Sequence, residues 1–133
     1  MQKILVAIDG DEPAHRALEQ GARLAQAFGA ELAVISVTPW RSRRTPLDPW
    51  DDAEVHADVL RTAAEWLGRQ GLAAELLSPA GDPATTIEDV AQAGAFDTIV
   101  VGSRGLGPVG RFMQGSVSEH VATNAKASVV IAR

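Results

Sequence analysis

One connection near the C-terminus contains five glycines, at Gly102, Gly105, Gly107, Gly110 and Gly115. Glycine loses more conformational entropy on folding than any other residue, so this number indicates either unusual backbone angles or the close approach of a ligand. From Gly102 to Ser116 the sequence follows the pattern Gly-x-x-Gly-x(9)-Gly-Ser. The connection begins after an apolar, strand-like segment and ends at the start of a helix-like segment.

This pattern has the chemistry of a phosphate-binding loop. Glycines allow backbone amides to approach phosphate oxygens, and the start of a helix offers free N–H groups and a positive dipole. Ser116 adds a hydroxyl group, while Arg104 and Arg111 add positive charge in a chain that is otherwise acidic. The alternative is that Ser116 only caps the helix and that the glycines only shape a flexible loop. The spacing by itself leaves both interpretations open.

Three of the glycines, Gly105, Gly107 and Gly110, also spell the dinucleotide fingerprint Gly-x-Gly-x-x-Gly. A true fingerprint opens a helix directly after the first strand of its fold. Here it follows the fourth predicted strand and contains Pro108. A module that binds NAD or a flavin is therefore the less favoured interpretation. A Walker-type loop is not indicated either, because the sequence contains neither Gly-Lys-Ser nor Gly-Lys-Thr.

The elements that must position this loop alternate along the chain. Apolar runs predict strands at 3–8, 31–37, 72–78, 97–101 and 127–132. Apolar residues three and four positions apart predict helices at 9–29, 51–71, 81–94 and 116–125. Two helix starts carry capping signals, Asp51 with Glu54 and Asp82 with Pro83.

This alternation predicts an α/β fold: a single domain over residues 1–133, with a five-stranded parallel sheet and helices on both faces. We expect the strand order 3-2-1-4-5, with strands one and four as neighbours. Ligands of such sheets bind beyond the carboxyl ends of the strands, where the strand order reverses. Asp9, which follows strand one, and Gly102, which follows strand four, would then face one crevice.

Composition and the remaining motifs exclude several classes of protein. A net charge of −5 argues against nonspecific nucleic-acid binding, and zero cysteines exclude disulfides and thiolate metal sites. No apolar run approaches the roughly 20 residues of a membrane span, and the N-terminus lacks a signal-peptide pattern, so we expect a cytoplasmic protein.

His15, His56 and His120 lack metal-ligand spacing and are predicted to be exposed helical residues. The arginines of loop 38–50, Arg41 to Arg44, are assigned no role.

Three stretches together resemble the universal stress protein family: "ILVAIDGDEPAHRAL", "DTIVVGSRGLG" and "QGSVSEHVATNAKASVVIAR". The resemblance covers the whole chain and is weakest in loop 38–50. It implies a Rossmann-like fold similar to the adenine nucleotide alpha hydrolases. Because the full glycine pattern is present, it also implies the branch of the family that binds ATP, with magnesium.

The resemblance further implies the residues of the site. Asp9 matches the acid that contacts the ribose and the metal, Ala7 lies beside it, and Val37 matches the position that borders adenine. The phosphate-binding positions are matched by Gly102, Gly105, Gly115, Ser116 and Val117, with Ser118 as an additional contact. Arg104 is assigned to the same site because of its positive charge. Two residues depart from the family pattern: Asp11 replaces a frequent serine, and Ser128 replaces a proline before the last strand.

Two functional classes follow from this resemblance. The first is a nucleotide-dependent regulator of the stress response, and the second is a slow magnesium-dependent ATP hydrolase. Hydrolysis requires charge neutralisation at the γ-phosphate and a group that positions water. Arg104 or Arg111 could neutralise charge and Asp9 or Asp11 could hold the metal, but no residue is assigned to the water, so we favour the regulator. The resemblance also implies a homodimer through the last strand, Val129 to Ala132.

Overall fold

A parallel sheet runs through the centre of the molecule in the computed structural model, which describes residues 1–9, 12–39, 52–102, 120–123 and 125–133. The strands are Lys3–Ala7 (β1), Glu31–Ile35 (β2), Thr38–Pro39 (β3), Glu75–Leu77 (β4), Ala80–Gly81 (β5), Thr98–Gly102 (β6) and Ser128–Ala132 (β7). Five of them form the main sheet, in the order β4-β2-β1-β6-β7, with every neighbouring pair parallel. The predicted α/β class and five-stranded parallel sheet are confirmed.

The strand order matches the predicted one within the main sheet and differs in one detail. Counted along the chain, the five main strands lie in the order third, second, first, fourth, fifth. The predicted second strand, however, ends at Ile35, and the chain re-forms a short strand, β3, that pairs with β5 in a separate two-stranded sheet. Thr38 pairs with Ala80, and the number of residues between them equals the number between Ala33 and its partner Glu75. The small sheet therefore continues the β2–β4 register after a short interruption.

Three helices connect the strands: Glu12–Phe28 (α1), Ala53–Arg69 (α2) and Pro83–Ala93 (α3). The predicted cap of α3 is confirmed, because the Asp82 carboxylate accepts a hydrogen bond from the amide of Thr85. The predicted cap of α2 at Asp51 is wrong by one position: Asp52 is the N-cap, and its carboxylate accepts from the Glu54 amide at 2.8 Å. Residues 120–123 are helical, as predicted, while 116–119 and 124 lie outside the described residues.

The sheet is covered by helices on both faces, as the sequence predicts. One apolar cluster joins α1 and α2 to the sheet, and it includes Ile4, Val6, Val34, Leu18 and Leu67. The other joins α3 and residue Val121 to the opposite face, and it includes Leu5, Ile35, Ile99 and Ile87. Successive strand residues therefore point to alternate faces, and β1 is buried from both sides. None of the described helices is long and apolar enough to span a bilayer.

At the amino edge of the sheet, Asp97 holds the start of β1 against β6. Its carboxylate accepts hydrogen bonds from the amides of Gln2 at 2.7 Å and Lys3 at 3.2 Å, and from the hydroxyl of Thr98 at 2.8 Å. The bond from Gln2, followed by that from Thr98, keeps the pKa of Asp97 below its ordinary value. The ionised carboxylate therefore stabilises the folded state at this edge.

Two helical glycines are expected to respond to alanine in opposite directions. A methyl group at Gly21, in α1, would overlap Cγ2 of Val6 in the buried strand β1, so Gly21→Ala should destabilise the fold by about 1–3 kcal/mol. A methyl group at Gly68, in α2, meets nothing within 4 Å, so Gly68→Ala should stabilise the fold by about 0.5–1 kcal/mol. Urea unfolding of both variants measures the difference. Equal effects would show that α1 does not approach β1 this closely.

Asp97→Asn should lower the free energy of unfolding near neutral pH by up to about 1 kcal/mol, because exposed charged hydrogen bonds contribute little. The folded-state pKa is lowered, so the stabilisation is complete above the ordinary value of 3.8 and is lost as the pH falls through the folded-state value. Urea titrations of the variant and the unsubstituted chain between pH 7 and 2 should therefore converge at the acid end. A difference independent of pH would contradict the role of the carboxylate charge.

Candidate functional site

The strand order reverses at one place in the main sheet, between β1 and β6. From β1 the chain passes through α1 to β2 on one side, whereas β6 pairs with β1 on the other side. At such a reversal the connections leave in opposite directions and open a crevice at the carboxyl edge, which is the usual ligand site of this architecture. The predicted neighbourhood of the first and fourth main strands is confirmed, and the crevice at their carboxyl ends stays a prediction.

The register brings three predicted site residues to the same level of this edge. Ala7, at the end of β1, lies opposite Ile35 on β2 and Val101 on β6. The Ile8 amide still donates to the Ile35 carbonyl oxygen at 2.9 Å, so the two strands stay together past the end of β1. Asp9 stands two positions after Ala7, and Val37 stands two positions after Ile35. Gly102 follows Val101 directly. Three adjacent strands thus present an acid, an apolar residue and a glycine.

Exposure differs among these positions. Ala7, Asp9 and Gly102 are half-buried, so a ligand can reach them from the edge. The side chain of Val37, by contrast, belongs to the apolar cluster on the α3 side, and the residue is only 6% exposed. At Val37 the contact available to a ligand is therefore mainly the backbone and its immediate neighbours.

The remaining predicted contacts lie outside the described residues: Arg104, Gly105, Gly115, Ser116, Val117 and Ser118, together with Asp11, Arg111 and the arginines from Arg41 to Arg44. Their assignment stays a prediction from the sequence. Gly102 is the one position of the glycine pattern that the described residues include, and it lies at the predicted crevice.

The prediction that all three histidines are exposed is wrong for His56. His15 and His120 are exposed, and His120 pairs with Glu88 at 3.0 Å. His56 is 0% exposed, and its Nδ1 lies 2.6 Å from Oγ of Ser36, just beyond β2. The sequence contains the signal that would have identified it, because His56 stands four residues before Leu60, at the start of the buried stripe of α2.

Sequence reasoning also missed Ser36 and Thr38, two buried hydroxyl residues that flank Val37. Ser36 is 0% exposed and is satisfied by His56. Thr38 is 8% exposed, and its amide donates to the carbonyl oxygen of Pro79 at 2.9 Å. Its Oγ1 has no hydrogen-bond partner among the residues that the structure describes. Hydropathy patterns give no signal for these residues, because Ser and Thr are read as ordinary positions at a strand end.

The described residues contain no group of three or more His, Asp or Glu side chains placed to hold a metal. Among the residues that the structure describes, Asp9 is the carboxylate that follows the paired end of β1. One carboxylate suits Mg²⁺ when it arrives with a nucleotide, because this ion commonly takes one or two protein carboxylates and completes its shell with phosphate oxygens and water. The donor set therefore fits a magnesium ion carried by a nucleotide rather than an ion bound by the protein alone.

A second concavity of about 500 Å³ lies between α1 and α2. Its walls combine apolar residues such as Leu18 and Val59 with Trp66, whose ring meets that of His15 edge to face at 5.5 Å. It shares Ile8 with the end of β1, and among the described residues its lining includes none of the predicted nucleotide contacts. Ligand binding can therefore be tested at this groove between α1 and α2 as well as at the predicted crevice.

Comparison with known proteins places this geometry in one family. Residues 1–133 match the sequence profile of the universal stress protein family. The universal stress protein YxiE of Bacillus subtilis is 32% identical over an alignment that spans 98% of this chain and 98% of the relative.

Two solved structures extend the similarity to the fold. The universal stress protein UspA from Lactobacillus plantarum superposes with a TM-score of 0.80 at 28% identity, covering 99% of this chain and 97% of that one. A universal stress protein from Archaeoglobus fulgidus, solved in complex with dAMP, superposes with a TM-score of 0.72 at 25% identity, covering 100% and 98%. With a profile match over its whole length and a curated relative that aligns almost end to end, this chain belongs to the universal stress protein family.

Proposed function

We propose that the chain binds ATP with magnesium at the carboxyl edge of β1 and β6 and acts as a nucleotide-dependent regulator. The observation that supports this proposal is the register of three adjacent strands at the reversal of strand order, because Asp9, Val37 and Gly102 follow the paired ends of these strands within one or two positions. The resemblance assigns these residues separately to ribose and metal, to adenine and to phosphate. Their meeting at one edge is what a single extended nucleotide requires.

A relative supports the ligand class. The universal stress protein from Archaeoglobus fulgidus was solved with dAMP, an adenine nucleotide with one phosphate. The present chain contains the complete glycine pattern from Gly102 to Ser116. We expect backbone amides and the predicted helix start of this pattern to offer N–H groups to several phosphate oxygens. A triphosphate would use more of these donors than a monophosphate, so we assign ATP to this chain.

The charges at the crevice have complementary roles in this proposal. The Asp9 carboxylate would hold magnesium together with the phosphates, and bound magnesium supplies positive charge that offsets theirs. Arg104 would add a second positive group on the phosphate side. Asp11, where the family often has serine, adds negative charge, so we expect ATP binding to require magnesium.

Regulation is preferred to hydrolysis because no residue is assigned to position an attacking water. A regulator keeps its ATP and responds to whether the site is occupied, whereas a hydrolase consumes it. Single-turnover measurement on the bound nucleotide distinguishes the two, since persistence over hours supports a binder and several turnovers per minute support an enzyme. We place this activity in the cytoplasm on the sequence criteria alone.

Calorimetry should show binding of ATP in the presence of magnesium and no comparable binding of NADH. Asp9→Asn, which removes one charge and keeps the shape, should weaken ATP binding with magnesium by about tenfold or more, since a hydrogen bond or ion contact to a charged group contributes about 1.5–3 kcal/mol. It should affect binding of AMP without magnesium less.

Asp97→Asn is the matched control for this variant. It makes the same chemical change at the amino edge of the same sheet, where Asp97 binds the backbone of β1. We expect it to leave nucleotide affinity unchanged. Tight binding of NADH without ATP, or equal weakening by the two substitutions, would contradict the proposed site.

We also propose a homodimer through β7. The strand lies at the end of the main sheet order, with β6 as its partner among the described strands. Ile131 is 41% exposed there, and Val129 and Val130 pack partly against the core. Backbone groups on a strand edge favour pairing, and this edge has none of the lysines, prolines or bulges that usually prevent it. A second copy, antiparallel across a two-fold axis, would form a closed contact.

Ile131→Lys should convert the dimer to a monomer in sedimentation experiments, because it places a charge in the shared edge without disturbing the core. Ile131→Thr is the control: it keeps the β-branched shape without the charge and should retain more of the dimer. ATP binding should survive in both variants. An unsubstituted chain that sediments as a monomer at tens of micromolar, where a stable interface of ordinary size is occupied, would contradict the dimer.

A further inference from the structure

Four polar residues are buried in the described part of the chain, and three of them are paired by their side chains. They are Ser36, Thr38, His56 and Thr98. Ser36 and His56 bond to each other at 2.6 Å, and the Thr98 hydroxyl donates to Asp97 at 2.8 Å. Thr38 is the exception, because its Oγ1 lacks a partner among the described residues. Buried hydroxyl groups in folded proteins almost always have a partner, so this group requires an explanation.

Thr38 lies at the carboxyl edge, next to a predicted ligand position. It follows Val37 and begins β3, which continues the register of β2. Along β2, Leu32 and Val34 face the α1–α2 side, and Ser36 continues this alternation by meeting His56 of α2. Thr38 is the next residue in this alternation. It lies beyond the last residue of β2, at the carboxyl edge of the sheet.

The order of the strands indicates which part of a nucleotide lies near Thr38. The phosphate pattern starts at Gly102 on β6, Asp9 follows the central strand β1, and Thr38 follows β2 on the far side. From β6 to β2 is two strand spacings, or about 10 Å. A nucleotide with its phosphates beyond β6 and its ribose at Asp9 therefore directs its base toward the β2–β3 side.

We infer that the Thr38 hydroxyl is a hydrogen-bonding contact to the nucleobase and helps to select adenine; this rests on the nucleotide site proposed above. A threonine hydroxyl both donates and accepts, which suits the adenine edge, where N7 accepts and the N6 amino group donates. The hydroxyl, unpaired among the described residues, would gain its partner when the base binds. Because the hydroxyl of Thr38 has already lost its contact with water in the folded protein, it has no further desolvation cost when the base binds. The contact therefore favours a base with a polar edge.

Thr38→Val tests this inference because it replaces the hydroxyl with a methyl group of the same shape. The affinity for AMP and for dAMP should fall by about three- to tenfold, in proportion to one neutral hydrogen bond. The melting temperature of the nucleotide-free variant should stay the same or rise, since the substitution removes a buried polar group without a partner. Thr38→Ser, which keeps the hydroxyl, should bind nucleotide more tightly than Thr38→Val.

Thr98→Val is the matched control, because Thr98 is also buried but its hydroxyl is bonded to Asp97 at the opposite edge. It should lower the melting temperature and leave nucleotide affinity unchanged.

If Thr38→Val binds AMP and dAMP as the unsubstituted chain does, the inference is wrong although the proposed site stands. A loss confined to AMP would also overturn it, because the contact would then be to the ribose 2′-hydroxyl. If the unsubstituted chain binds no nucleotide, the proposed function fails and the inference fails with it.

Discussion

The burial of β1 on both faces, together with its parallel pairing on both sides, is the constraint on which the rest of the structure depends. Ile4, Leu5 and Val6 are 0% exposed, so neither face of this strand can be opened to water without a large loss of apolar burial. Parallel neighbours cannot be joined by tight turns, so each connection has to cross a face of the sheet. The connection that follows β1 runs to β2, whereas β6 and β7 extend the sheet on the other side of β1, and we expect the ligand crevice where these two directions part.

The same constraint separates the two edges of the sheet into different roles. At the amino edge, Asp97 uses its carboxylate to hold the backbone of Gln2 and Lys3, and the groups there are satisfied internally. At the carboxyl edge, Asp9 and Gly102 are half-buried, and the hydroxyl of Thr38 lacks a partner among the described residues. The proposed ligand site thus lies at the end of the strands opposite the hydrogen bonds of Asp97.

Much of this arrangement could be predicted from the sequence, because apolar runs and helical spacing are strong local signals. The strand order, the cap at Asp82 and the exposed edge at β7 follow from such signals. Two features were missed although their signals are local: Asp52 rather than Asp51 caps α2, and His56 begins the buried stripe of the same helix. The short strand β3 could not be predicted in this way, because it depends on pairing with β5, a segment distant in the chain.

A nitrogen–proton NMR titration of the chain with ATP and magnesium locates the nucleotide on the sheet, because each backbone amide reports separately on its surroundings. We expect saturable shifts at the carboxyl edge, at Ala7 to Asp9, at Val37 and Thr38, and at Gly102. Little change is expected at Gln2, Lys3 and Asp97 on the opposite edge. Saturable shifts confined to the amino edge or to the groove between α1 and α2, or no shifts at millimolar ATP with magnesium, would contradict the proposed site.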